Sequence, residues 1–291
     1  MKSYVTFISS MLVFGTVGIF RKYITLSSGL LACARGFLGG AFLLAFIVLT
    51  RRRPPKLERK TVLMLILSGM LMAINWILLF ESYNYTTVGT ATLCYYMQPT
   101  ILMLMSPLVF KEKLTTKKLI CALTAIAGMV LVSGVIGETG ASSQNTVGII
   151  CGLGAAFFYA SVITLNKKTQ VDDAYQKTCI QLFSAAITVI PYLLLTEDFS
   201  TISLDTRTIV LVLILGIFHT GITYALYFGS MRDLKAQSIA VLGYIDPVSS
   251  LIFAAIILHE QLSVLGLAGA VLIIGSALVS ELNFKRRLEC S

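Results

Sequence analysis

The chain has 291 residues, of which 56% are hydrophobic and 13% charged, with a mean hydropathy of +0.85 and a formal net charge of +9. A soluble domain carries about 25% charged residues. The composition therefore excludes an ordinary soluble fold, a disordered chain and a disulfide scaffold, and it predicts an integral membrane protein.

Apolar segments follow one another along the whole chain, separated by short polar linkers. In chain order they cover residues 4–20, 29–50, 61–82, 87–109, 117–136, 146–166, 176–195, 207–228, 236–258 and 264–283. Each is close to the ~20 residues that a helix needs to cross a bilayer. The sequence therefore predicts an all-α protein with ten transmembrane helices and no room for a soluble catalytic domain.

The placement of positive charge predicts how the helices are oriented. If the N-terminus is cytoplasmic, the inside segments hold 19 of the 23 Lys and Arg residues and the outside segments hold 3, while Arg35 lies within the second apolar segment. This asymmetry follows the positive-inside rule. It predicts that both termini are cytoplasmic, and it explains the net charge without a nucleic-acid partner.

A motif in the first half of the sequence recurs in the second. The pattern Tyr-x2-Pro-x12-Glu-x-Leu occupies residues 96–114 and, 148 positions later, residues 244–262. The shift moves the fourth apolar segment onto the ninth, and five helices is an odd number, so the two halves should be inverted. The sequence thus predicts two inverted five-helix domains, residues 1–137 and 146–291, a common construction of secondary transporters.

The ten segments, the two halves and Pro-x12-Glu-x-Leu-[Thr/Ser] in segments four and nine resemble the EamA type of the drug/metabolite transporter superfamily. Arg35 in the second segment and Gly128 in the fifth also fit. In the second half, Ser276 replaces the counterpart of Gly128, and Gln181 stands close to where Arg35 would repeat. The resemblance implies a carrier of small metabolites in a bacterial inner membrane, in most cases an exporter of amino acids or drugs and in some a choline importer.

Asp246 is the most informative polar residue in the apolar segments. It lies near the middle of the ninth segment, directly before Pro247, and its repeat partner Gln98 precedes Pro99. A proline inside a helix removes a backbone hydrogen bond and kinks it, and acids at membrane depth are costly and usually functional. Asp246 is therefore predicted to bind a cationic group or a proton. The alternative is a structural acid beside a kink.

Further candidates lie on neighbouring helices. His219, Thr223 and Tyr227 have the i, i+4, i+8 spacing of one helix face, and Asn75 and Trp76 occupy the equivalent part of the third segment. A histidine there can titrate near neutral pH or can simply pack between helices. Both interpretations stay open at this point.

Tyr95 and Gln98 face together from the fourth segment, where an aromatic ring could hold an organic cation. Most of the 12 Tyr in such a chain are packing or interface residues. Arg35 could hold a substrate carboxylate, extend to the membrane surface or pair with Glu81, and the structural roles are favoured. Glu112 and Glu260 are interpreted as turn and helix-packing residues, with Thr115 and Ser263 capping the helices that follow.

Together these observations favour a secondary carrier with alternating access, most consistent with export of an amino acid or organic amine across the bacterial inner (plasma) membrane. The alternative is a choline uptake carrier. An enzyme would need a paired catalytic constellation, and none is visible. The expected partners are a small-molecule substrate, the lipid bilayer and protons as a candidate coupling ion, for a monomer or weak dimer without a cofactor, catalytic residue or metal. The predicted binding residues are Asn75, Trp76, Tyr95, Gln98, His219, Thr223, Tyr227 and Asp246, with helix kinks at Pro99 and Pro247.

Overall fold

The computed structural model describes residues 2–52, 54–111, 115–132, 143–169, 171–199, 205–231, 234, 242–261 and 263–281. Within these ranges all regular structure is helical, as predicted. The helices are α1 (Lys2–Phe14), α2 (Val17–Lys22), α3 (Ser28–Leu49), α4 (Arg59–Tyr85), α5 (Val88–Tyr95), α6 (Gln98–Phe110), α7 (Thr116–Val132), α8 (Ser143–Thr169), α9 (Ala174–Thr196), α10 (Thr206–Leu213), a π-helix (Ile214–Ile222), α11 (Thr223–Met231), α12 (Ile245–Ile257) and α13 (Val264–Glu281). Glu112 and the first part of the ninth predicted segment, before residue 242, lie outside the described residues.

Six helical runs among the described residues are long and apolar enough to cross a membrane. They are Lys2–Lys22, Ser28–Leu49, Arg59–Tyr85, Ser143–Thr169, Ala174–Thr196 and Thr206–Ser230. Large apolar side chains on the helices point outward: Leu195 is 87% exposed and Val264 is 83% exposed. Such a surface suits hydrocarbon and not water, and it belongs to a multi-pass membrane protein.

Several of the predicted spans are interrupted inside the bundle. The first is broken at Gly15–Thr16, between α1 and α2, and the fourth at Tyr96–Met97, two residues before Pro99. Helix α12 begins at Ile245, directly after a turn and two residues before Pro247. Irregular backbone at membrane depth is tolerated only where it is buried in protein or lines a cavity.

The eighth span contains the π-helix, and its own side chains support the wider turn. Thr220 Oγ1 donates to the Leu215 carbonyl at 2.8 Å and Thr223 Oγ1 to the Phe218 carbonyl at 2.7 Å. In both pairs the partners are five residues apart, which is the spacing of the π-helical backbone bonds. Short π-helical segments are frequent at functional sites.

Helix packing repeats the 148-residue symmetry of the sequence. Helix α4 packs on α8 and α9, while α1 packs on α11 and α3 packs on the π-helix. The shift relates α1 to α8, α3 to α9 and α4 to the span from α10 to α11, so each of these contacts between the halves has a counterpart in which the halves are exchanged. Helices α7 and α13, which the shift exchanges, pack on each other where Gly128 meets Gly269 with almost no side-chain space between the backbones.

Candidate functional site

The Asp246 carboxylate lies where the interrupted helices meet. Tyr96, at the break between α5 and α6, donates its hydroxyl to Asp246 Oδ2 at 2.5 Å. The break in the first span lies against the first turn of α12, which contains Asp246. A Cβ added to Gly15 would be 3.0 Å from the Asp246 carbonyl oxygen. Asp246 and Tyr96 are both partly exposed, so the surrounding protein does not cover the pair completely.

Tyrosines from three helices surround this pair. Tyr95, Tyr159 and Tyr224 are partly exposed, and their hydroxyls lie within electrostatic range of one another and of Asp246. The rings of Tyr95 and Tyr159 are 5.5 Å apart between centroids. We call the space bordered by Tyr95, Tyr96, Tyr159, Tyr224 and Asp246 the chamber. One carboxylate among aromatic faces is suited to an organic cation.

Arg35 lies beside the chamber, on α3, and is only 5% exposed. Its Nε donates to Thr220 Oγ1 at 2.6 Å, and its Cζ lies 4.6 Å from the centroid of the Trp76 ring. The suggested pairing with Glu81 does not occur among the described contacts: Glu81 Oε2 instead accepts from Asn84 Nδ2 at 3.2 Å.

His219 connects two of the interrupted spans. It is 2% exposed, and its Nε2 lies 2.8 Å from Thr16 Oγ1, at the break of the first span. Its Nδ1 lies 3.3 Å from the Ile214 carbonyl oxygen, and its ring packs edge-on against Phe20 at 4.9 Å between centroids. The structure thus places His219 in a contact between helices, outside the group of tyrosines.

The other predicted binding residues are divided between the chamber and the helix contacts. Asn75 is fully buried and donates its Nδ2 to the Ala155 carbonyl at 2.7 Å, which joins α4 to α8. Thr223 is bonded within its own helix, and Gln98 is partly exposed at the start of α6. Tyr227 lies within electrostatic range of Asp246 and stacks at 5.3 Å on Phe7. Their roles in binding stay predictions.

Sequence reasoning did not select three residues of the chamber. Tyr96 belongs to the repeated motif, and its repeat partner Tyr244 stands two residues before Asp246, a signal that could have identified it. Tyr224 was hidden because the i, i+4, i+8 rule assumes a regular α-helix, whereas the segment before it is π-helical. No local pattern distinguishes Tyr159 from a packing residue.

Polar contacts close the bundle at one end. The Glu260 carboxylate accepts hydrogen bonds from the backbone N–H of Val88 at 2.8 Å and of Gly89 at 3.0 Å. Lys22 Nζ donates to the Thr86 carbonyl at 3.0 Å, and Thr86 Oγ1 donates to Asn145 Oδ1 at 2.6 Å. We call these contacts the end cluster. They join α2, α5 and α8 to the turn after α12, so Glu260 has the turn and packing role expected for it.

The predicted helix caps are confirmed, since Thr115 Oγ1 accepts from Lys118 N at 3.3 Å and Ser263 Oγ from Gly266 N at 3.0 Å. In the part of the chain that the structure describes, no group of three or more His, Cys, Asp or Glu could hold a metal ion.

Comparisons with known proteins agree on one family. The profile of the EamA-like transporter family matches residues 1–134 and 146–281. The uncharacterized transporter YxxF of Bacillus subtilis is 29% identical over 249 residues, which cover 84% of this chain and 78% of that protein. A Salmonella typhimurium protein named "Probable amino-acid metabolite efflux pump" is 29% identical over 212 residues, 68% of this chain and 69% of that protein. One crystal structure has a TM-score of 0.68 at 19% identity, covers 97% of this chain and 99% of its own, and shows the fold alone.

Proposed function

The chain belongs to the EamA-like transporter family, and from this premise we propose that it exports a small metabolite bearing an ammonium group, an amino acid or an organic amine, across a bacterial inner membrane. It is a membrane transporter and not an enzyme. The substrate class, the direction and the driving force form the proposal, with the substrate gradient or protons as the driving force.

The pairing of Asp246 with Tyr96 in the chamber carries this proposal. A carboxylate at membrane depth is costly unless it is paired, and among the described residues its side-chain partner is a neutral phenol. An ammonium group would complete the pairing, and the surrounding aromatic faces would add cation–π attraction of about 0.5–2 kcal/mol. A chamber built in this way favours a cation over an anion or a neutral solute.

The symmetry of the halves supports an alternating-access mechanism. The helix contacts exchange under the 148-residue shift, and five helices per half is an odd number, which supports inverted domains at residues 1–137 and 146–291. The asymmetry of Lys and Arg supports cytoplasmic termini. Inverted halves can exchange conformations, so that inward-open and outward-open states have nearly equal energy. The end cluster would close one side, and its release would open the chamber there.

The name of the Salmonella protein favours an amino acid and export. Uptake of choline is the second candidate, because the faces of Tyr95, Tyr159 and Tyr224 also suit a quaternary ammonium group, which cannot donate a hydrogen bond to Asp246.

Counter-flow in proteoliposomes tests the proposal, with radiolabelled leucine, phenylalanine, phenethylamine and choline as the substrates. The Asp246→Asn substitution should abolish counter-flow or remove its pH dependence, because protons and an ammonium group compete for the Asp246 carboxylate. In the wild-type protein, binding of the cation should therefore weaken as the pH falls. Asp172→Asn is the matched control, since Asp172 is exposed in the linker before α9, and it should leave counter-flow unchanged.

Normal, pH-dependent counter-flow in the Asp246→Asn variant would refute the assignment of this carboxylate. If choline exchanges and none of the other three compounds does, the second candidate is correct.

A further inference from the structure

The two terminal amino groups of Arg35 make no hydrogen bond to the described part of the protein, whereas those of a structural arginine do. Among the described residues, Arg35 uses only Nε in a hydrogen bond with protein, to Thr220. Its Nη1 and Nη2 are not among the fully buried, unpartnered atoms, so each keeps accessible surface although the residue is only 5% exposed. Arg21, equally buried, directs both amino groups into protein, to the Ile24 carbonyl and the Ser28 hydroxyl.

Buried guanidinium groups normally satisfy their donors, because an unpaired buried donor is costly. The Arg35 side chain is also held in place from two sides, by Thr220 at 2.6 Å and by the Trp76 ring at 4.6 Å. A fixed arginine with its fork of two amino groups free is the arrangement that binds a planar carboxylate through two parallel hydrogen bonds.

The position of Arg35 relative to Asp246 suits a molecule with two opposite charges. Both groups lie within electrostatic range of Tyr83 and Tyr224, so they belong to the same region of the bundle. Arg21, beside the end cluster, donates to Ser28 at the start of α3, and Glu260 follows the end of α12, so both helix ends lie on one side of the bundle. From that side Arg35 is seven residues into α3 and Asp246 is twelve residues before Leu258, which at ~1.5 Å per residue offsets their Cα atoms by about 8 Å along the helices.

We propose that the Arg35 amino groups bind the carboxylate of the same substrate whose ammonium group binds Asp246, so that the carrier selects zwitterionic amino acids over amines and choline. The inference rests on the proposed function and deepens it. With both charges paired, neither Asp246 nor Arg35 is left unpaired in the substrate-bound chamber. Thr220 and Trp76 act as positioning residues for the guanidinium.

Matched pairs of probes test this inference on the purified full-length protein in detergent. Leucine is compared with isopentylamine and phenylalanine with phenethylamine, because each amine is its amino acid without the carboxylate. Dissociation constants come from thermal-shift titrations, since a ligand stabilises the state it binds. The wild-type protein should bind an amino acid about tenfold tighter than its amine, because the amine lacks at least one charge-assisted hydrogen bond to Arg35.

Three variants separate the role of Arg35 from a general structural effect. Arg35→Gln should remove the preference for the amino acid and leave amine binding intact, which at the same time shows that the chamber is folded. Arg35→Lys keeps the charge without the fork and should reduce the preference; it replaces the glutamine variant if that one does not fold. Arg52→Gln is the matched control, because Arg52 also stacks on an aromatic ring, 4.3 Å from Tyr175, but at the far end of α3.

Each outcome decides the matter. Equal binding of an amino acid and its amine to the wild-type protein overturns the inference. Equal weakening of both probes in the Arg35 variants also overturns it. In either case the proposed function stands if amine binding still requires Asp246. If the folded wild-type protein binds none of the probes, the inference and the proposed function fall together.

Discussion

Glu260 is expected to hold the bundle closed at one end, and its removal has a calculable effect. Its carboxylate accepts the backbone N–H groups of Val88 and Gly89 at the first turn of α5, where a helix has unpaired donors and partial positive charge. A lost cap costs about 1 kcal/mol, and a lost negative charge at a partly buried helix N-terminus costs up to about 2 kcal/mol. Glu260→Ala should therefore weaken the closed end by about 2–3 kcal/mol, and Glu260→Gln by about 1 kcal/mol, because glutamine keeps one acceptor.

Hydrogen exchange followed by mass spectrometry measures this effect where it occurs. A loss of 2–3 kcal/mol corresponds to about 30- to 150-fold faster exchange of the first α5 amides through local opening of this end. Glu58→Gln is the matched control. Glu58 also stands at a helix N-cap, before α4, but it is exposed and makes no side-chain cap bond, so the exchange of α4 should not change.

The reasoning is refuted if the folded Glu260→Ala protein shows less than about a threefold increase in α5 exchange, or if Glu58→Gln accelerates exchange in α4 by a similar factor. The first result would mean that other contacts of the end cluster hold the helix without Glu260. The second would mean that any glutamate at a helix start has the same effect.

Two further predictions concern packing and the contact between interrupted spans, and both are measured as free energies of unfolding in mixed detergent. Gly69→Ala should cost about 1–3 kcal/mol, because its Cβ would lie 2.6 Å from the Gln181 carbonyl oxygen on α9, whereas Gly275→Ala meets nothing within 4 Å and should gain about 0.5–1 kcal/mol. Equal effects at the two glycines would contradict the packing of α4 on α9. Thr16→Val should cost about 1–3 kcal/mol, since it leaves the buried His219 Nε2 without its partner, while the exposed Thr50→Val, which loses a bond within its own helix, should change stability by less than about 0.5 kcal/mol; a neutral Thr16→Val would show that the His219 contact does not stabilise the fold.

The helices could be predicted from the sequence because hydropathy reports directly on which segments lie in lipid. The ten apolar segments agree with the helical regions to within a few residues wherever the structure describes them. The repeat was also visible, since Tyr, Pro, Glu and Leu recur at fixed spacing. The interruptions were harder to foresee: hydropathy carries no information on hydrogen-bond register, so nothing in residues 207–228 announced a π-helix between Ile214 and Ile222.

The chamber could be predicted only in part, for a related reason. Asp246 stood out because an acid in an apolar segment is rare, and it is the acid of the chamber. Its partner Tyr96 is 150 residues away, and one of many tyrosines in a membrane protein gives no local sign of such a contact. The free amino groups of Arg35 could not be foreseen, because a sequence shows that an arginine is in a span but not which of its donors the protein leaves unbonded.

Three polar contacts inside the bundle are made by residues of the interrupted segments. Tyr96 at one break bonds Asp246 at the start of α12, His219 in the π-helix lies beside Thr16 at another break, and Thr220 in the π-helix bonds Arg35. An interruption is where a span can bend with least loss of backbone hydrogen bonding. A substrate that binds Asp246 and Arg35 therefore acts on the residues that hold the bends in place. A substrate can shift the balance between conformations only if it binds them with different affinities. That difference would arise at these contacts, because the groups that make them would also bind the substrate.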